Sequence, residues 1–428
     1  MNTIQSTKHT QTIYYSAWLL VALFFLYQYV LRVSPGIMVV EIKQVFKLTA
    51  SEFSSLGSIY LFSYSLLQIP LGFILDRIGV RRVIVMAIAI CMMGTVLFAL
   101  SRNVLMLQIG RFLIGLGSAP AFISALKIVH DHLPLKYRGL LMGMTLAVGT
   151  LGALVSGQCM VALLDNQGWQ NALLICAGFG GLLLMLVLAV IPYSFEKIKA
   201  EEKFLSHFRA GIAAVFKQRE LILYSVIAIG VYTPLCVLAD LWGAAYLMEK
   251  YELSRAISAK LSLYLYGGLT VGSLIIPWLS VRWGRLKETI QFCIMCLVLA
   301  MGFLLYSDSL TLLQLGVLLT IIGLLCGAEM ICFAGAIDHS PLSYSGLALG
   351  VVNTLNMLGG AFVQQLIGWY LDFQWKGEYG LDGARYYSVT DLNAAFTLLI
   401  AIIIICGLLT FFLSPVKAME NTQSPQSA

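Results

Sequence analysis

Apolar runs of about twenty residues recur along this 428-residue chain, with short polar turns between them. A run of that length crosses a hydrocarbon core of roughly 30 Å as a helix. Twelve spans fit, at approximately 14–38, 53–75, 81–101, 104–127, 139–163, 169–192, 221–247, 257–281, 289–307, 310–334, 345–371 and 391–414. Composition agrees: 59% of residues are apolar and 11% charged, with a mean hydropathy of +0.87, where a soluble domain carries roughly 25% charged residues. The net charge of +6 is spread over short loops and predicts no nucleic-acid partner. The first run is long and lacks a small-residue cleavage site, so no signal peptide is expected. The nine cysteines lie mostly inside spans, which argues against a disulfide framework. Cys293 and Cys296 form a CxxC within a span and are assigned to packing, not to a metal.

The longest polar insert, about 193–220, contains Lys197, Lys199, Lys203, Arg209, Lys217 and Arg219. Taken as a cytoplasmic linker, it divides the chain into a six-helix bundle at 1–192 and another at 221–416. A polar tail at 417–428 is expected to be disordered. With both termini inside, the inner segments hold roughly twice the Lys and Arg of the outer loops, as the positive-inside rule requires.

The halves echo each other. Arg77, Gly79 and Arg82 return as Arg282, Gly284 and Lys287, an offset of 205. Asp131-His132 returns as Asp338-His339, and Leu164-Asp165 as Leu371-Asp372, both at 207. Gly139, Gly143 and Gly152 return as Gly346, Gly350 and Gly359 at the same offset. Six helices per half keep the copies parallel, which implies a pseudo-two-fold axis along the membrane normal and a pathway between the bundles.

The turn Gly72-Phe-Ile-Leu-Asp76-Arg77-Ile-Gly79-Val-Arg81-Arg82, with Arg111-x-x-x-Gly115-x-Gly117 on the fourth span, resembles the major facilitator superfamily over nearly the whole chain. The resemblance implies an all-α membrane protein of twelve helices in two pseudo-symmetric bundles. It also implies a gate at Gly72, Asp76, Arg77, Gly79, Arg81 and Arg82. Asp76 would face the start of the eleventh helix, where the dipole favours negative charge, and Arg81 or Arg82 could hydrogen-bond to it. Gly72 would permit close helix approach and Gly79 a tight reversal. The second copy puts Pro277 and Val281 where the first has Gly72 and Asp76, so it lacks the carboxylate. The fifth span lacks the Gly-Pro pair of the family's drug antiporters. The stretch from Tyr27 to Met38 also resembles the phagosomal nutrient transporters of intracellular bacteria, which import amino acids or nucleosides.

Four ionisable residues lie inside spans: Arg32 on the first, Arg111 on the fourth, Asp240 on the seventh and Glu329 on the tenth. Such residues are costly in hydrocarbon and line cavities or pair with one another. Depth favours an Arg32–Asp240 pair over Arg111–Glu329. Glu329 is the candidate proton carrier, with Asp240 the second. Arg111 has a competing structural role, binding helix carbonyls. Lys127 is expected to snorkel to the interface. Gln28 shares a face with Arg32, and Tyr60, Tyr64 and Gln68 form a second stripe. Asn353, Asn356, Gly360 and Gln364 form a third, which lines a wet cavity or bonds between helices. Tyr29 completes the candidate substrate set of Arg32, Gln28, Tyr60, Tyr64, Arg111, Asp240, Asn353 and Asn356.

An arginine opposed to a carboxylate suits a zwitterion. The expected function is therefore proton-coupled import of an amino acid or short peptide across a bacterial inner membrane. A nucleoside, sugar or organic-anion carrier, or an efflux carrier, stands as the alternative. Expected partners are the small-molecule substrate, protons and membrane lipids. A monomer is expected because each chain contains both halves. No nucleotide-binding loop is present in the sequence, and no enzyme activity or cofactor is expected.

Overall fold

The computed structural model describes residues 2–192, 204–341, 344–380 and 383–414. Eleven helices among them are long and apolar enough to cross a membrane. The longest, Leu135–Val190, breaks at Gly168, whose φ of 77° no helix tolerates, so it makes two crossings. The twelve are α1 Thr12–Ile37, α2 Ala50–Ile78, α3 Val80–Ala99, α4 Val104–His132, α5 135–167 and α6 169–190 in the first half. The second half holds α7 Arg219–Tyr251, α8 Arg255–Trp283, α9 Leu286–Tyr306, α10 Leu312–Asp338, α11 Ser345–Gln374 and α12 Val389–Phe412.

Local chemistry explains where these helices start and turn. Thr49 with Glu52, Thr311 with Gln314, and Ser388 with Asp391 form reciprocal capping boxes at the starts of α2, α10 and α12. Gly79 (φ 89°) and Gly284 (φ 63°) sit in the two echoed turns, both in left-handed backbone that other residues rarely adopt. Of the expected linker, residues 193–203 lie outside the described residues. Phe204–Phe216 is a short helix, and α7 starts at Arg219. The tail at 417–428 also lies outside the described residues.

The halves meet along α2 with α11, α5 with α8, and α1 with α7. The first two are the same pairing repeated by the duplication. We call the end carrying the 72–82 and 281–287 turns the turn end, and the opposite one the far end. At the far end the halves touch closely. Trp242 Nε1 donates to Ser54 Oγ at 3.1 Å, and Ser58 Oγ to Gln365 Oε1 at 3.0 Å. Gln365 Nε2 donates to Ser51 O at 3.2 Å. Halfway along, Asn353 Nδ2 donates to Gln68 Oε1 at 2.8 Å and Thr270 Oγ1 to Thr150 Oγ1 at 2.7 Å.

Candidate functional site

A cavity of about 910 Å³ lies between the halves. Its deep end holds Arg32, Tyr29, Tyr64, Gln68, Tyr232 and Glu329, and its mouth holds Gly72, Asp76, Lys127, Asp131 and Gly346. It thus runs from the middle of the molecule to the turn end.

Arg32 is placed by α1 and spoken for by α7. Its Nε and Nη2 donate to Asp240 Oδ2 at 3.0 and 2.7 Å, so the pair bridges the two halves. Tyr266 donates to the other Asp240 oxygen, and Arg32 also bonds the Tyr232 hydroxyl. Asp240 is 4% exposed and lies behind Arg32, not in outer solvent. The local chain explains the crossing. Over Leu235–Trp242, α7 widens to π geometry just after Pro234, a feature often found at functional positions. Gly36 brings α1 against this segment: a Cβ there would stand 2.9 Å from the Asp240 and Leu241 carbonyl oxygens.

Arg111 has the structural role. Its guanidinium is 1% exposed and is not among the cavity-lining residues. It donates to Leu56 O at 2.7 Å, Leu31 O at 2.8 Å and Arg32 O at 3.3 Å, and lies over the Tyr60 ring at 4.6 Å. Pro35 supplies the reason: it has no N–H for the Leu31 carbonyl four residues back. Arg111 and Ser34 Oγ, at 2.9 Å, satisfy that oxygen instead. The arginine therefore ties α1 and α2 to α4.

Glu329 lines the cavity from α10 and accepts a hydrogen bond from Asn356 Nδ2 at 2.5 Å. Its partner is an amide rather than a cation. Asn356 is itself fully buried, and Gln364 Nε2 donates to Cys236 O at 2.5 Å. Gly360 packs on the Tyr232 ring. Of the α11 stripe only Asn353 reaches the cavity, because the closed far end buries the rest in helix contacts. Tyr60 donates to Gln28 Oε1 at 2.6 Å, and that pair is also buried behind the lining. Arg32, Tyr29, Tyr64, Glu329, Gln68 and Asn353 are thus brought together at the cavity, while Gln28, Tyr60, Arg111 and Asn356 stand behind it.

At the mouth, the sequence expectation for Asp76 needs correction. Its carboxylate is 64% exposed and is held by Lys127 Nζ at 2.5 Å, not by Arg81 or Arg82. Lys127 also pairs with Asp131 at 3.1 Å, so it bridges α2 and α4 where simple snorkelling was expected. Arg81 instead donates to Leu188 O at 3.1 Å. Among the described residues no hydrogen bond or ion pair joins Asp76 to α11, and a Cβ on Gly72 or on Gly346 near the start of α11 would meet nothing within 4 Å, so the mouth stands open there. Tyr232 was also missed, although it lies two helical turns before Asp240, a spacing visible in the sequence. Nothing in sequence spacing points to Tyr266.

The family model "Major Facilitator Superfamily" matches residues 18–364, and the chain belongs to that family. Its helices are those of a multi-pass membrane protein, and the relatives it matches carry transporter names. Among its relatives, "Uncharacterized transporter YybO" of Bacillus subtilis (strain 168) is 34% identical over 143 residues, 33% of each chain. "Probable L-galactonate transporter" of Escherichia coli (strain K12) is 24% identical and aligns over 64% of each chain. "Probable galactarate/D-glucarate transporter GudP" of the same organism is 25% identical over 73% of this chain and 77% of its own length. The chain thus spans a third of the first of these relatives and under two thirds of the second. A solved bacterial homologue of the human lysosomal transporter Spinster, inward-facing and unoccupied, superposes with a TM-score of 0.78. It is 15% identical, covering 94% of this chain and 97% of the other, a likeness of fold alone.

Proposed function

We propose that the protein is a secondary carrier working by alternating access, with residues 1–192 and 221–416 as its moving halves. The solute is a small carboxylate-bearing organic acid. The observation that carries this reading is the Arg32–Asp240 pair at the deep end of the cavity. A solute carboxylate competes with Asp240 for a guanidinium suited to bidentate binding. Occupancy then loosens a link that spans the halves, which couples binding to movement. The sugar acids named for two relatives, L-galactonate and galactarate/D-glucarate, fit this chemistry. An amino acid or short peptide is the second reading. It is favoured by Glu329, a second acid in the cavity able to take an ammonium group.

Glu329 serves as the proton site in the main reading. A buried carboxyl bonded only to an amide can exist in either protonation state without leaving a cation unpaired. Basic residues concentrate near the turn end, so the positive-inside rule puts that end and both termini in the cytoplasm of a bacterial inner membrane. The conformation described is then inward-open. Asp76 acts in the opposite state, when α2 and the start of α11 come together.

Uptake into proteoliposomes under an inward proton gradient tests the proposal, using hexonates, aldarates, amino acids, dipeptides, nucleosides and neutral sugars. Gradient-driven uptake of a carboxylate-bearing solute, lost in Arg32→Ala, is expected. Neutral-sugar transport that survives Arg32→Ala would overturn it.

A further inference from the structure

The repeated pairs Leu164-Asp165 and Leu371-Asp372 take no part in the cavity. We propose that Asp372 and Asp165 form a duplicated latch that holds the far end shut, and that its release admits the opposite open state. This rests on the alternating-access reading.

Asp372 lies in the last turn of α11 and reaches the first turn of α2 in the other half. Its Oδ1 accepts from Ala50 N at 3.1 Å and its Oδ2 from Ser51 N at 2.9 Å. A helix start leaves its first N–H groups without internal partners. The capping box uses Thr49 N and Glu52 N, which leaves the Ser51 amide to the carboxylate and the Ala50 amide shared between the carboxylate and Tyr387 Oη, the latter at 2.9 Å. The helix dipole adds to the attraction. Tyr387 Oη donates to Oδ1 at 2.6 Å, and Arg385 Nη1 stands 3.1 Å from the same atom. The side chain is 17% exposed, so solvent screens these contacts only in part.

Asp165, at the end of α5, repeats the arrangement with the halves exchanged. It pairs with Arg255, the first residue of α8, which also holds Glu41. Position 255 lies 205 beyond Ala50, and position 372 lies 207 beyond Asp165. Each half therefore sends an aspartate from a helix end to a helix start in the other half. One copy is read by backbone amides, the other by a guanidinium. Asp165 is 59% exposed, so it is the weaker half of the latch.

Spin labels at Arg102→Cys and Ser309→Cys, on a background lacking the nine native cysteines, measure the gap at the far end. Asp372→Asn should raise the far-end-open population about 10-fold, against about 3-fold for Asp165→Asn. The double variant should approach the product, and Asp372→Glu should stay near wild type. Melting temperature, recorded alongside, separates lost stability from a shifted equilibrium. Distances unchanged in the folded variants would overturn the latch, as would a fall in stability without a shift. If Asp372→Asn does not fold, Tyr387→Phe and Arg255→Gln must shift the same population, and no shift from either is equally contrary. No solute is needed, so failure of the latch is distinct from an error about the substrate. A far end that never opens in wild type or any variant would overturn the alternating-access reading as well.

Discussion

The two ends of the molecule treat the same helix pair in opposite ways. At the far end α2 and α11 touch: a Cβ on Gly368 would lie 2.6 Å from Ala50 O. At the turn end they part. Below the Gln68–Asn353 bond, α2 runs on for about 12 Å to Asp76. Over that stretch Gly72 on α2 and Gly346 on α11 would each meet nothing within 4 Å. The far-end glycine is used in this conformation. On the proposed alternating-access reading, the turn-end pair packs only when that end closes. A rigid structure would leave room for a side chain at these positions, whereas a rocking one would not.

The largest expected effect comes from breaking the Arg32–Asp240 link between the halves. Asp240→Ala leaves the Arg32 charge buried without its partner, which costs about 3–5 kcal/mol, and transport should fall to background. Arg32→Ala with Asp240→Ala should recover much of that stability in thermal melts but none of the transport. A double variant no more stable than Asp240→Ala would break the pairing argument. Next is Arg111→Ala, expected to cost about 1.5–3 kcal/mol through its lost carbonyl bonds. Its melting temperature should fall at every solute concentration. Unchanged stability with lost solute binding would instead return Arg111 to the substrate set.

Glu329→Gln should keep the fold and solute exchange between loaded vesicles. Accumulation driven by a proton gradient should fall at least ~10-fold, and its dependence on pH should flatten. Gradient-driven accumulation at the wild-type level would remove Glu329 from coupling. The smallest effect on stability belongs to Gly72→Leu. With open space around that position, stability read from thermal melts should change by no more than surface substitutions do, about 0.5 kcal/mol or less. Net transport should nevertheless fail, since the turn end cannot close. Normal transport by that variant would show that the glycine is not part of a closing surface.

Much of this was legible in the sequence because membrane helices announce themselves. The apolar runs gave the spans, the offsets of 205 and 207 the duplication, and six helices per half its parallel sense. Depth along the spans paired Arg32 with Asp240, since a long apolar helix maps residue number onto height. Rotation about each helix axis was less legible. Tyr60, Asn356 and Gln364 share faces with cavity residues, yet lie in contacts between helices because one end is closed. The Lys127–Asp76 pair is not legible in the sequence, because the partners lie 51 positions apart on different helices. The role of Arg111 depends on Pro35, and on a freed carbonyl that only three-dimensional packing brings within reach.

Under the proposed function, the two ends open in alternation around the Arg32–Asp240 link. Paired distances test it most directly: Lys136→Cys with Arg285→Cys across the turn end, and Arg102→Cys with Ser309→Cys across the far end. Both should be measured in wild type, Asp76→Asn and Asp372→Asn. Opposed changes are expected, with Asp76→Asn widening the turn end and narrowing the far end, and Asp372→Asn doing the reverse. Two ends that widen together, or that ignore both substitutions, would contradict it.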